Sequence, residues 1–240
     1  MKRYRLCNPF PSIEKEGSLS YGGNQNWSSS KTIRKCGCGV IAGTDLLLYL
    51  DLNKQRCRTK FFEEVQDSNG IIEREQYLKY VHKMRRDYLP LIPHFGMPGW
   101  VLVVGLNAYL AKYHTGLTAS WGFGRKKLWN RMSAMLSHDI PVILSIGPNL
   151  PFFRKKEKLN LYQKNSMGSY LSSNKVSAHF VTVTEMDEEW MRVSSWGKEY
   201  YINKKEYIGY MTKYSNALFC NVCYLSLIHI SEPTRQEAIS

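Results

Sequence analysis

The chain predicts an α+β fold in which helices come first and an antiparallel sheet follows. Three observations predict it. Apolar residues from Val40 to Leu50 run nearly all the way round a helix, so that helix is buried rather than surface-lying. The other segments with strong helical spacing also lie before residue 140. From Pro141 onward the apolar segments are short, β-branched and alternating, as strands are.

The elements follow in order. Residues 1–35 are rich in Gly, Ser, Asn and Pro and lack periodicity, which reads as an extended or looped arm. Gly37-Cys38-Gly39 then opens the buried Val40–Leu50 helix. Glu73 to Arg86 places charged and apolar groups at helical spacing, and Pro90, Pro93 and Pro98 end that helix in a turn-rich connector. Gly99 to Tyr113 is a second strongly apolar helix. Arg125 to Ser137 is a third and more amphipathic one, with Leu128, Met132, Met135 and Leu136 on one side. Pro141 to Ile146 reads as a strand. Residues 148–177 are polar, basic and Ser/Asn-rich, a long loop or flap. His179 to Thr184, Trp190 to Ser194, Tyr200 to Ile202 and Ala217 to Tyr224 complete the sheet. The organisation expected is an arm, 1–35, and a single domain, 36–224, with a helical half (36–140) packed on a sheet half (141–224). Leu225 to Arg235 resembles the conceptual translation of a sequencing-library adapter, so 225–240 is set aside as an artefactual tail.

The formal charge is +13, from 33 Lys and Arg against 20 Asp and Glu. Such a balance attracts anionic partners without specificity, so an acidic partner on the basic surface is expected. The basic residues are dispersed (Arg85-Arg86, Arg125-Lys126-Lys127, Arg154-Lys155-Lys156), and no RNP, finger or helix-turn-helix signature accompanies them. No specific nucleic acid is therefore expected. No secretory h-region follows Met1-Lys2-Arg3 and no apolar run is long enough to span a bilayer. A cytoplasmic location is the expectation, with the six cysteines as reduced thiols. Cys36-x-Cys38 and Cys220-x-x-Cys223 suggest a metal set, but Cys-x-Cys is an unusual zinc spacing; neither a metal nor another cofactor is expected.

The chemistry centres on Cys38. A cysteine in the first turn of a buried helix faces unpaired N–H groups and the positive end of the helix dipole, which favour thiolate over thiol. Such a nucleophile needs an imidazole to take its proton and a third group to hold the ring. His179 opens a strand after the small residues Ser177-Ala178, in the half of the chain opposite Cys38. Ser194-Ser195-Trp196-Gly197 follows on the next strand. Cys36 competes as nucleophile but stands further from the helix.

A helix-start cysteine, a strand-start histidine and Ser-Trp-Gly after the next strand resemble the papain-like cysteine peptidases, most nearly the bacterial peptidase C39-like branch. The interval from Cys38 to His179 falls within the about 130–150 residues typical of papain-like chains. The resemblance implies a papain-like fold and thiol-dependent hydrolysis of peptide or isopeptide bonds through a Cys38–His179 dyad and a thioester. Acyl transfer by the same dyad and a non-catalytic binding module are the alternatives. It also implies Ser194 in the slot that papain fills with Asn, with Ser195 beside it and Asp187 as another possible orienter of the imidazole. Position 32, where the family carries its oxyanion glutamine, is Thr; Gln25 is the nearest glutamine upstream and would serve if Ser28 to Lys35 loops out.

Overall fold

The computed structural model describes residues 2–66, 70–92, 96–151 and 157–227. From the N-terminus, strands β1 (Tyr4–Arg5), β2 (Ser12–Lys15) and β3 (Ser18–Leu19) precede a 3-10 turn, Gln25–Trp27, and helix α1 (Lys31–Cys36). Helix α2 (Cys38–Asn53) starts immediately after Gly37. Then come β4 (Ile71–Glu73), α3 (Arg74–Asp87), α4 (Gly99–Lys112), β5 (Leu117–Trp121), α5 (Leu128–Ser137) and β6 (Val142–Ile146). The remainder is β7 (Leu159–Lys164), β8 (Tyr170–Val176), β9 (His179–Met186), β10 (Trp190–Ser195), β11 (Lys198–Asn203), α6 (Lys204–Tyr214) and β12 (Val222–Leu227).

The fold is α+β, with six α-helices among the described residues and one large antiparallel sheet in the order β5-β12-β6-β9-β10-β11-β7-β8. Strand β1 extends β9 beyond the end of β6, pairing Tyr4 with Met186. A second, three-stranded sheet joins β2 to β3 and β4. Every residue of β9 is buried. Helix α2 packs against it, and Leu46, Leu48 and Tyr49 are fully buried there. Burying each such side chain contributes about 1.5–3 kcal/mol, so α2 and β9 form the spine on which the site is built.

Five sequence expectations are corrected. Residues 1–35 are no arm: Phe10, Ile13 and Ile33 are core residues, and short strands and α1 replace the loop. Those strands have two to four residues, too few to show periodicity. The 148–177 flap contains the β7–β8 hairpin, whose outer strand is exposed on both faces and therefore polar throughout. The helical half contributes β5 to the main sheet. The sheet half contains α6, whose start is capped by Asn203 Oδ1 accepting from the N–H groups of Lys205 and Glu206. The supposed tail begins inside β12, where Leu225 is buried and pairs with Ala119; residues 228–240, like Arg154-Lys155-Lys156, lie outside the described residues. Among the described residues no helix is long and apolar enough to cross a membrane.

Candidate functional site

Cys38 is the first residue of α2, as its neighbours Gly37 and Gly39 suggested. Helix α1 ends one residue earlier, and a Cβ on Gly37 would lie 2.4 Å from the Ile33 carbonyl oxygen, so only glycine lets the two helices abut. Cys38 retains partial exposure, but burial pushes its thiol up from the ordinary value. The N–H groups of Phe180, Gly39 and Cys38 itself act in the opposite direction and are outweighed. The expectation of a resting thiolate is therefore corrected: desolvation exceeds the help from the helix start.

His179 opens β9 and pairs with Ile146. Ala178 before it adopts a left-handed φ of 50°. The ring is buried, and burial pushes its pKa down to about 4, so it is a neutral base across the physiological range. Its Nε2 lies 2.8 Å from Ser195 Oγ. The indole of Trp196 stacks on it at 4.6 Å and 25°. Trp196 (φ 50°) and Gly197 (φ 71°) form the two-residue turn between β10 and β11.

Ser194 does not orient the imidazole. It pairs in register with Thr182, whereas Val193 pairs with Val183. Strand alternation then puts Ser195 on the His179–Val181–Val183 face and Ser194 on the Thr182 face. Ser194 Oγ instead donates to the Tyr21 carbonyl at 2.7 Å. Asp187 is excluded as an orienter too. It stands past the opposite end of β9 and accepts from the N–H groups of Glu189 and Trp190, building the β9–β10 turn.

Gln25 reaches the site by a different route from the one expected. Residues Lys31–Cys36 are helical rather than looped, and they fold back so that Gln25 Nε2 donates to the Arg34 carbonyl at 2.7 Å. One of its two amide hydrogens is thereby engaged. The sequence reading missed Asp45. Its carboxylate, two helical turns beyond Cys38 on α2, accepts from the Gly23 N–H (3.0 Å) and the Tyr77 hydroxyl (2.7 Å). Burial raises its pKa to about 7. Gly22 fits between Ser194 and Asp45, where a Cβ would meet Ser194 Oγ at 2.5 Å and Asp45 Oδ2 at 2.7 Å. A buried Asp inside an otherwise apolar helical run was the available signal for it.

Gln25, Cys38, Asp45, His179, Ser194, Ser195 and Trp196 all line one small cavity of about 10 Å³. That volume is about the room one water needs. Cys36 is not among its lining residues. The structure thus brings together all five predicted site residues, although no hydrogen bond joins Cys38 to His179 among the described residues. The four-cysteine metal set does not form. Cys220 Sγ accepts from the Gly147 N–H and Cys223 is buried in β12. No cluster of three His, Cys, Asp or Glu side chains among the described residues is placed to hold a metal ion.

Comparison with protein families, curated proteins and solved structures gives no match for this chain.

Proposed function

We propose that the chain is a papain-like thiol hydrolase, cleaving peptide or isopeptide bonds at Cys38 with His179 as base. The observation that carries this reading is the convergence, in one cavity, of a helix-start thiol and a strand-start imidazole that is bonded on one side and stacked on one face. With Nε2–H donating to Ser195, Nδ1 keeps the lone pair that a general base needs. The raised thiol and lowered imidazole make the resting pair neutral rather than an ion pair.

Substrate attack then runs in balanced steps. The sulfur adds to the carbonyl carbon while its proton passes to His179 Nδ1. The C–N bond breaks and the leaving amine takes that proton, leaving a thioester on Cys38. Water, deprotonated by the same nitrogen, releases the acid and restores the thiol. The Cys38 backbone N–H, which at rest faces its own sulfur, and the second Gln25 amide hydrogen are the donors available to the tetrahedral oxyanion. An amine in place of water gives acyl transfer.

A second reading, a papain-like frame that binds without turnover, is favoured by the absence of a thiol–imidazole hydrogen bond and by the uncharged orienter. Trapping by an epoxysuccinyl peptide, followed by intact mass, separates the two. The hydrolase requires a single adduct on Cys38, lost in Cys38→Ala and formed about 10²-fold more slowly in His179→Ala. No adduct, or a rate indifferent to His179→Ala, leaves the binding module.

A further inference from the structure

Helix α4 breaks the usual rule for its composition. A helix apolar all round is normally buried, yet its outward face is open: Trp100 is 66% and Val104 62% exposed. The patch continues off the helix. A Cβ on Gly99 would touch the Trp121 ring, and Trp121 Nε1 donates to the carbonyl of Leu218, which is 51% exposed. Two residues past Trp121, at the start of the β5–α5 loop, Phe123 is 69% exposed. That loop reads Phe123-Gly124-Arg125-Lys126-Lys127, exposed throughout, and no ion pair holds any of its three cations among the described residues.

We infer that this face docks on an anionic lipid surface, with Trp100, Val104, Phe123 and Leu218 entering the headgroup boundary and Arg125, Lys126 and Lys127 lying against lipid phosphates or carboxylates. Aromatic and aliphatic side chains beside unpaired basic ones are what an interfacial protein presents, and each basic residue near such a surface strengthens binding by about fivefold. The alternatives fit less well. Single-stranded nucleic acid is held in basic grooves, and the cavities beside His82, His179 and Tyr201 have no residue of this patch in their linings. A second copy of the chain would bring two Arg-Lys-Lys loops together, a like-charge contact.

Sedimentation of the full chain with vesicles of phosphatidylcholine alone, or with added phosphatidylserine, tests this. Binding should be at least about tenfold stronger with phosphatidylserine and should weaken with salt. Trp100→Ser/Phe123→Ser and Lys126→Glu/Lys127→Glu should each reduce it about tenfold or more with circular dichroism unchanged. Cys38→Ala should leave it intact, so the result does not depend on the catalytic reading. The inference is overturned by equal affinity for both vesicles, or by binding indifferent to both double variants. Preferential binding of an oligothymidylate would also overturn it, as would a dimer dissolved by Trp100→Ser/Phe123→Ser.

Discussion

Asp45 and Asp139 are both buried, both accept a tyrosine hydroxyl, and both pin the N-terminal segment through its backbone. Asp139 takes the Cys7 N–H at 2.7 Å, the Asn8 side chain at 2.8 Å and a very short bond from Tyr49. Asp45 takes the Gly23 N–H and Tyr77. They differ in one partner. Lys54 Nζ lies 2.8 Å from Asp139, and no cation meets Asp45 among the described residues. Burial works to raise both carboxyls, but Lys54 and the hydrogen bonds hold Asp139 below the ordinary value of 3.8, whereas Asp45 rises to about 7. The outer anchor is thus a fixed charge and the inner one, beside the cleft, titrates near neutrality.

The largest expected effect is on the outer anchor. Asp139→Ala removes the shared acceptor of the Cys7 N–H, the Asn8 amide and the Tyr49 hydroxyl together with the Lys54 ion pair, and should lower stability by about 3 kcal/mol in urea unfolding at pH 7. A loss under about 1 kcal/mol would put the two anchors on equal terms.

The next is a pH dependence. Asp45 binds its proton more tightly folded (about 7) than unfolded (3.8), so its contribution falls as pH rises through that window. His179, lowered from 6.5 to about 4, binds its proton less tightly folded, so its contribution rises with pH between those values. Where the windows overlap the two slopes oppose. Asp45→Asn should therefore unmask a rise in stability from about pH 4 to 6.5, and should exceed the wild type by about 2 kcal/mol at pH 8. Unfolding midpoints across pH check this; parallel curves for variant and wild type would mean that Asp45 does not titrate as its burial demands.

The smallest effect separates the neighbouring serines. Ser194→Ala removes one hydrogen bond to Tyr21, worth about 1 kcal/mol of stability, and should leave epoxide trapping at Cys38 unchanged. Ser195→Ala should slow trapping several-fold while moving stability less. The reverse pattern would return the orienting role to the papain slot.

The sequence told most about the residues that matter most to packing. The all-round apolar run at Val40–Leu50 could only be a buried helix; the alternating His179–Thr184 segment read as a strand, but not as one buried on both faces. Cys38 and His179 were legible because each opens such an element. Ser195 was not, because its facing depends on the register of β10 against β9, and register is a tertiary property that no serine announces. Gln25 entered only through the resemblance, as the nearest glutamine before Cys38, and α1 was invisible: Lys31–Cys36 is too short to show a period. Asp45 escaped because its partners, Gly23 and Tyr77, come from two other parts of the chain.

The N-terminal segment has a consequence for how the molecule comes to exist. Arg3 pairs with Glu185, Tyr21 donates to Thr184, and the Gly197 N–H donates to the Gly23 carbonyl. Residues of the N-terminal segment thus have partners far along the chain, in β9 and in the turn after β10. Such non-local closure slows folding and leaves early-made apolar groups waiting. Phe10 and Gln25 stay without their final surroundings until β9, β10 and the Trp196-Gly197 turn have emerged. The cleft therefore cannot close before these distant segments have met, and the thiol acquires its base only once β9 has followed the helices.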